Sequence, residues 1–94
     1  MRTVYDTDNL GKAFFEEAIR SIRMDAKFAW REDVGPERFT VIVFGAAQSV
    51  KLETTREALH QAADDPRSHP RLAREIDLQL RISESGENGF VKEV

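Results

Sequence analysis

Apolar residues recur at every third or fourth position near the start of the chain, which predicts an amphipathic helix from about Asp8 to Ile22. One face of this helix should dock on the core while the charged face meets solvent. Asp6, Thr7 or Asp8 could cap it, because each offers a side-chain oxygen to the unpaired amides of the first turn. The apolar face comprises Leu10, Phe14, Phe15, Ala18, Ile19 and Ile22.

The middle of the chain predicts three strands. Met24 to Arg31 alternates apolar and polar residues, which slightly favours a strand over a continuation of the helix. Arg38 to Phe44 has β-branched and aromatic residues on both faces, as expected of a central strand that is covered on both sides. Gly35-Pro36 predicts a turn between these two stretches, and Ser49 to Glu53 predicts a short third strand.

A second helix is predicted after the third strand. Thr54-Thr55-Arg56-Glu57 has the spacing of a capping box, in which a threonine and a glutamate each bond an unpaired amide. The helix should therefore begin near Thr54 and end before Asp64-Asp65-Pro66. Pro66 and Pro70 then bracket a polar loop.

The end of the chain predicts one more strand and a short tail. Ile76 to Ser83 alternates apolar and polar residues throughout, which predicts a half-buried strand. The buried side chains would be Ile76, Leu78, Leu80 and Ile82, and the wet ones Asp77, Gln79, Arg81 and Ser83. Phe90 and Val91 would form a short final strand or a docked tail.

These elements predict that residues 1–94 form a single small α+β domain. The order is helix, strand, strand, short strand, helix, strand. We expect a two-layer sandwich in which a mostly antiparallel sheet carries two helices packed on one face.

Composition narrows the class of protein. The 94 residues contain no cysteine, which excludes disulfides and fits a reducing compartment, so we expect a cytoplasmic protein. The longest apolar run, Phe39 to Ala47, is far shorter than the roughly 20 residues of a membrane-spanning helix, so no membrane partner is expected. The net charge of −3 comes from interleaved residues of both signs, and no polybasic face is indicated.

His60 and His69 are the only histidines and the only candidate catalytic bases. With Asp64 they carry the ligand types of a zinc or manganese site, but their spacing is looser than that of recognised motifs. Ser68 beside His69 lacks a third group that would orient a catalytic pair. We therefore expect no enzyme, no metal and no cofactor. A small enzyme, or a subunit of a shared site using both histidines, is the last alternative.

The densest basic cluster in the sequence comprises Arg67, Arg71, Arg74 and Arg81. Interspersed carboxylates largely cancel their charge, whereas binding to a phosphate backbone requires uncancelled positive charge. A nucleic-acid-binding module that uses this cluster or the sheet face is therefore the second hypothesis.

Trp30, Arg31 and Arg38 are the predicted partner-binding residues. They flank the Gly35-Pro36 turn, which would bring them to one end of the sheet, and tryptophan and arginine are enriched at interface hot spots. The first hypothesis is a non-catalytic protein-binding module such as a small regulator or inhibitor. Phage inhibitors of host defence, antitoxins and immunity proteins share its size and composition by analogy only. A homodimer is compatible with the sequence.

Overall fold

The computed structural model describes residues 3–32, 37–45, 48–86 and 89–91. The elements in chain order are α1 (Val4–Ile22), β1 (Lys27–Glu32), β2 (Arg38–Phe44), β3 (Ser49–Thr55), α2 (Arg56–Asp64), a 3₁₀ turn (Pro66–Ser68), α3 (His69–Glu84) and β4 (Gly89–Val91). The predicted α+β class is confirmed. The predicted Gly35-Pro36 turn lies outside the described residues.

The four strands form one mixed sheet in the order β1-β2-β3-β4. β1 pairs with β2 and β2 with β3 in antiparallel fashion, whereas β3 and β4 are parallel. Val41 of β2 lies opposite both Trp30 and Leu52, which fixes the register across three strands. The strands predicted at Met24 to Arg31, Arg38 to Phe44 and Ser49 to Glu53 are confirmed, with shifted ends for the first and third.

The prediction of a strand from Ile76 to Ser83 is wrong, because these residues lie in α3. Ile76 and Leu80 are buried as predicted, but Leu78 is 51% exposed. The buried positions of α3 follow a spacing of three and four, which is that of one helix face. They are Leu72, Ile76, Leu80 and Ser83.

The prediction of a polar loop between Pro66 and Pro70 is also wrong. A 3₁₀ turn begins at Pro66, and Pro70 lies in the first turn of α3. Proline is tolerated there because the amides of the first turn have no partner within the helix.

Both predicted helix starts need correction. α1 begins four residues earlier than predicted, because Thr3 accepts a bond from the amide of Asp6 while the Asp6 carboxylate accepts one from the amide of Thr3. α2 is capped by Thr55, whose hydroxyl accepts from the Ala58 amide. Thr54 is a strand residue, and its hydroxyl donates to the Val91 carbonyl in β4.

The core lies between the helices and one face of the sheet. Phe15 and Ile19 of α1 pack with apolar residues from β2, β3, α2 and α3. β4 reaches the edge of the sheet because Gly89 packs tightly against α3. A Cβ at Gly89 would lie 2.5 Å from the Gln79 carbonyl oxygen.

α1 and α2 cross closely at Gly11, and this contact gives a testable prediction. A Cβ at Gly11 would lie 2.2 Å from the carbonyl oxygen of Leu59, which is backbone and cannot move aside easily. Gly11→Ala should therefore lower the free energy of unfolding by about 1–3 kcal/mol, although alanine is the better helix former. Urea unfolding would measure this change.

Asn9→Ala is the matched control for this prediction. Asn9 is exposed on the same helix, so alanine there should leave stability unchanged or raise it slightly. A Gly11→Ala variant as stable as Asn9→Ala would contradict the close crossing.

Candidate functional site

One face of the sheet is covered by the helices and the other is not. Val41, Val43 and Leu52 are buried in the core, so their neighbours along each strand point to the opposite face. No described helix covers that face, which we call the open sheet face. Its side chains, of which Thr40 is buried beneath its neighbours, are Lys27, Ala29 and Arg31 from β1, Arg38, Thr40, Ile42 and Phe44 from β2, Ser49, Lys51, Glu53 and Thr55 from β3, and Phe90 from β4.

The open sheet face is basic, although the chain as a whole carries a net charge of −3. Its four cations, Lys27, Arg31, Arg38 and Lys51, are all exposed. Glu53 is its one carboxylate within the described strands. The positive charge is therefore concentrated on one surface, where it can attract an anionic partner.

Apolar side chains lie among these cations. Phe44 is 43% exposed, while Ile42 and Phe90 are partly exposed. The Arg38 guanidinium lies 5.3 Å from the centre of the Phe90 ring and covers that ring. β2 was predicted to be covered on both sides, but its second face carries this mixture of apolar and cationic side chains in the open.

The three predicted partner-binding residues do not share a face. Arg31 and Arg38 both lie on the open sheet face as diagonal neighbours on adjacent strands, since Arg31 lies opposite Thr40. Trp30 points to the helix-covered face, where its indole N–H donates to Glu16 at 3.2 Å. Its ring packs edge-on against Phe15. Their role in binding a partner stays a prediction.

The predicted arginine cluster is divided by the helical geometry of α3. Arg71, Arg74 and Arg81 lie with Leu78 along the outside of the helix, which we call the α3 outer stripe. Arg81 pairs with Asp77 at 3.2 Å, and Arg67 in the preceding turn pairs with Asp65 at 3.3 Å. The carboxylates therefore neutralise part of this cluster, as the sequence indicated.

A buried charged cluster, which the sequence analysis did not find, connects α1 to α2. Asp8 is 2% exposed and accepts bonds from Arg56 at 3.2 Å and His60 at 2.7 Å. Arg56 also bonds Glu32 at the end of β1, and its guanidinium lies over the ring of Phe39. Asp8 precedes Gly11 and Phe15 at helical spacing, and this pattern could have revealed a buried carboxylate.

The charges around Arg56 favour its cationic form. Partial burial would lower its pKa, but the hydrogen bond and charge of Asp8, together with the charges of Glu32 and Glu37, raise the pKa above its ordinary value. Arg56 therefore stays charged at any physiological pH and acts as a permanent counter-ion for Asp8.

The two histidines have separate partners. His60 bonds Asp8, whereas the ring of His69 bonds the Ala62 carbonyl at 2.6 Å and stacks on Phe14. Within the described residues, no group of three histidines or carboxylates could hold a metal ion. His60 borders a groove with Glu57 and Asp64, and none of the contacts described there joins it to a nucleophile.

No helix in the described part of the chain is long and apolar enough to cross a membrane. Comparisons of the chain with protein-family models, curated proteins and solved structures found no match. A functional proposal therefore depends on the surfaces described above.

Proposed function

We propose that this chain is a non-catalytic protein-binding module, of the small regulator or inhibitor type, that presents its open sheet face to an acidic surface of another protein. The proposal treats the fold as a two-layer sandwich with one sheet face left for the partner. A cytoplasmic location accords with the lack of cysteine.

The observation that carries the proposal is the mixed character of the open sheet face. Exposed cations surround Phe44 and Ile42 on a protein that is otherwise acidic. Arginine and aromatic residues supply most of the binding energy at protein interfaces, while surrounding cations favour an acidic partner and speed its approach.

Nucleic acid is the second candidate partner, because two aromatic rings on a basic sheet face could stack bases. The Arg38 guanidinium already covers one face of the Phe90 ring. This contact counts against nucleic-acid binding, because a base could not stack on that face. Phe44 lies at the end of β2 and would offer a single stacking site.

Removing two arginines from the open sheet face tests the proposal. The tagged chain and its Arg31→Ala plus Arg38→Ala variant would be used to capture partners from nuclease-treated lysate of the native host. Each hot-spot truncation costs about 2 kcal/mol, so recovery of a specific partner protein should fall by about tenfold or more. Both arginines are exposed, so the melting temperature should stay the same.

Arg71→Ala plus Arg74→Ala is the matched control, because it removes two exposed arginines from the α3 outer stripe. Its capture of the partner should equal that of the unaltered chain. Equal losses in both variants would contradict the open sheet face as the site. Recovery of nucleic acid without nuclease, with binding that falls steeply as salt rises, would favour the second candidate.

A further inference from the structure

β1 (Lys27–Glu32) forms an outer edge of the sheet. Within the described part of the chain it pairs with β2 alone. In an antiparallel pair every second residue turns its N–H and C=O away from the neighbouring strand, so about half of the β1 residues offer unpaired backbone groups. Its six residues equal an average strand in length. β1 is therefore a template to which another strand can add.

The β1 side chains on the open sheet face favour acidic residues on an added strand. They are Lys27, Ala29 and Arg31, and both cations are exposed and form no ion pair within the described residues. Directly opposite side chains on adjacent strands lie about 5 Å apart and interact in pairs. The complementary order on an added strand is acidic, small, acidic at alternate positions.

The side chains on the opposite face of β1 favour apolar residues on the added strand. Phe28 and Trp30 point to this face and are partly buried. The neighbouring strand β2 and the α1 residues Arg20 and Glu16 cover them from two sides. Both rings are partly exposed, so apolar side chains of an added strand on this face could bury more of them.

Charge argues against a second copy of this chain as the added strand. An antiparallel β1–β1 pair centred on Ala29 would place Lys27 of each copy opposite Arg31 of the other. Like charges directly opposite each other destabilise a strand pair. An acidic partner removes this repulsion and replaces it with attraction.

Building on the protein-binding function proposed above, we propose that the partner supplies an extended acidic segment that adds to β1 as a fifth strand. Acidic residues of this segment face Lys27 and Arg31, and its apolar residues pack against Phe28 and Trp30. Trp30 and Arg31 point to opposite faces of the sheet, and strand addition lets one partner contact both.

Synthetic peptides test this mode of binding. The probe has the core Glu-Val-Ala-Val-Glu, and the control Val-Glu-Ala-Glu-Val has the same composition with its faces exchanged. A third peptide carries the probe sequence with N-methylated amides, which cannot pair with a strand edge. In fluorescence anisotropy the probe should bind at least about tenfold more tightly than either control.

Charge reversal on β1 gives the matching protein variant. Lys27→Glu plus Arg31→Glu should weaken probe binding by at least about tenfold and should allow binding of the Lys-Val-Ala-Val-Lys peptide. Both charges are reversed together, because reversing one alone would favour pairing between two copies of β1. Lys51→Glu, on the same face but two strands away, should change probe affinity by less than about threefold.

Three outcomes would overturn strand addition. These are equal binding of the probe and its N-methylated form, no probe binding up to millimolar concentration, and a dimer of the unaltered chain in light scattering that the single reversal Arg31→Glu makes tighter. A partner protein whose capture depends on Arg38, but not on the β1 charges, would leave the proposed function standing and remove only this inference. Partner capture that depends neither on Arg38 nor on the β1 charges would contradict both proposals.

Discussion

Replacing Arg56 with methionine should lower the free energy of unfolding by about 3 kcal/mol, the lower end of the cost of removing one partner from a buried ion pair, because Arg56 is partly exposed and Asp8 keeps its bond from His60. Methionine keeps an apolar stem over Phe39 but leaves the Asp8 carboxylate, which is 2% exposed, without its permanent cation. The exposed end of β1 would also lose the bond from Arg56 to Glu32. Urea or thermal unfolding of the variant measures the loss.

A second substitution separates the buried charge from other effects of this change. Asp8→Asn plus Arg56→Met makes the buried group neutral, while the asparagine oxygen still accepts a bond from His60. Much of the lost stability should return, because the cost comes from an uncompensated charge and not from the missing guanidinium itself. A double variant at least as unstable as the Arg56→Met variant would contradict this explanation.

Arg71→Met is the surface control for the Arg56→Met substitution. Arg71 is exposed on α3 and forms no ion pair within the described residues, so this change should stay within about 0.5 kcal/mol of the unaltered chain. A large loss there would mean that methionine itself disturbs these helices.

Local sequence patterns predicted the elements whose residues bond mainly to near neighbours. α1 and the three consecutive strands follow from hydrophobic periodicity and turn residues. The start of α1 was misplaced because Asp6, Thr7 and Asp8 are equally good caps in isolation. The choice of Thr3 depends on its reciprocal bonds with Asp6.

The covered and open faces of the sheet could not be assigned from the sequence. β2 has apolar residues on both faces, and a doubly covered strand and a strand with an apolar binding face share that pattern. The assignment depends on where α3 packs, and α3 was mistaken for a strand. With a strand predicted at Ile76 to Ser83, the wet face of the sheet is expected to carry Asp77, Gln79 and Arg81. No local pattern adds Arg31 and Arg38 to that face.

The buried cluster around Asp8 was missed for a related reason. Its members are far apart in the chain, since Asp8 and Arg56 are separated by 48 positions. Pairing over that distance is a property of the packed helices and not of any local motif. Only the helical spacing of Asp8 with Gly11 and Phe15 marks it in the sequence, where Asp8 is also one of three candidate caps of α1.

Paired alanine substitutions in α3 should give sharply different losses of stability. Leu80 is 1% exposed and packs in the core, so Leu80→Ala should cost about 2–5 kcal/mol. Leu78 is 51% exposed on the outer stripe, so Leu78→Ala should stay within about 0.5 kcal/mol. The two changes remove the same atoms, and each variant therefore serves as the control for the other in chemical unfolding.

The size of this difference distinguishes a helix from a strand at residues 76–83. In a strand, Leu78 and Leu80 would point to the same buried face and cost similar amounts. In α3 they lie about 200° apart around the helix axis, so one faces the core and the other faces solvent. Similar losses in both variants would contradict α3 and return these residues to the sheet. A large loss for Leu80→Ala alone would support α3 and the helix-covered core on which the open sheet face depends.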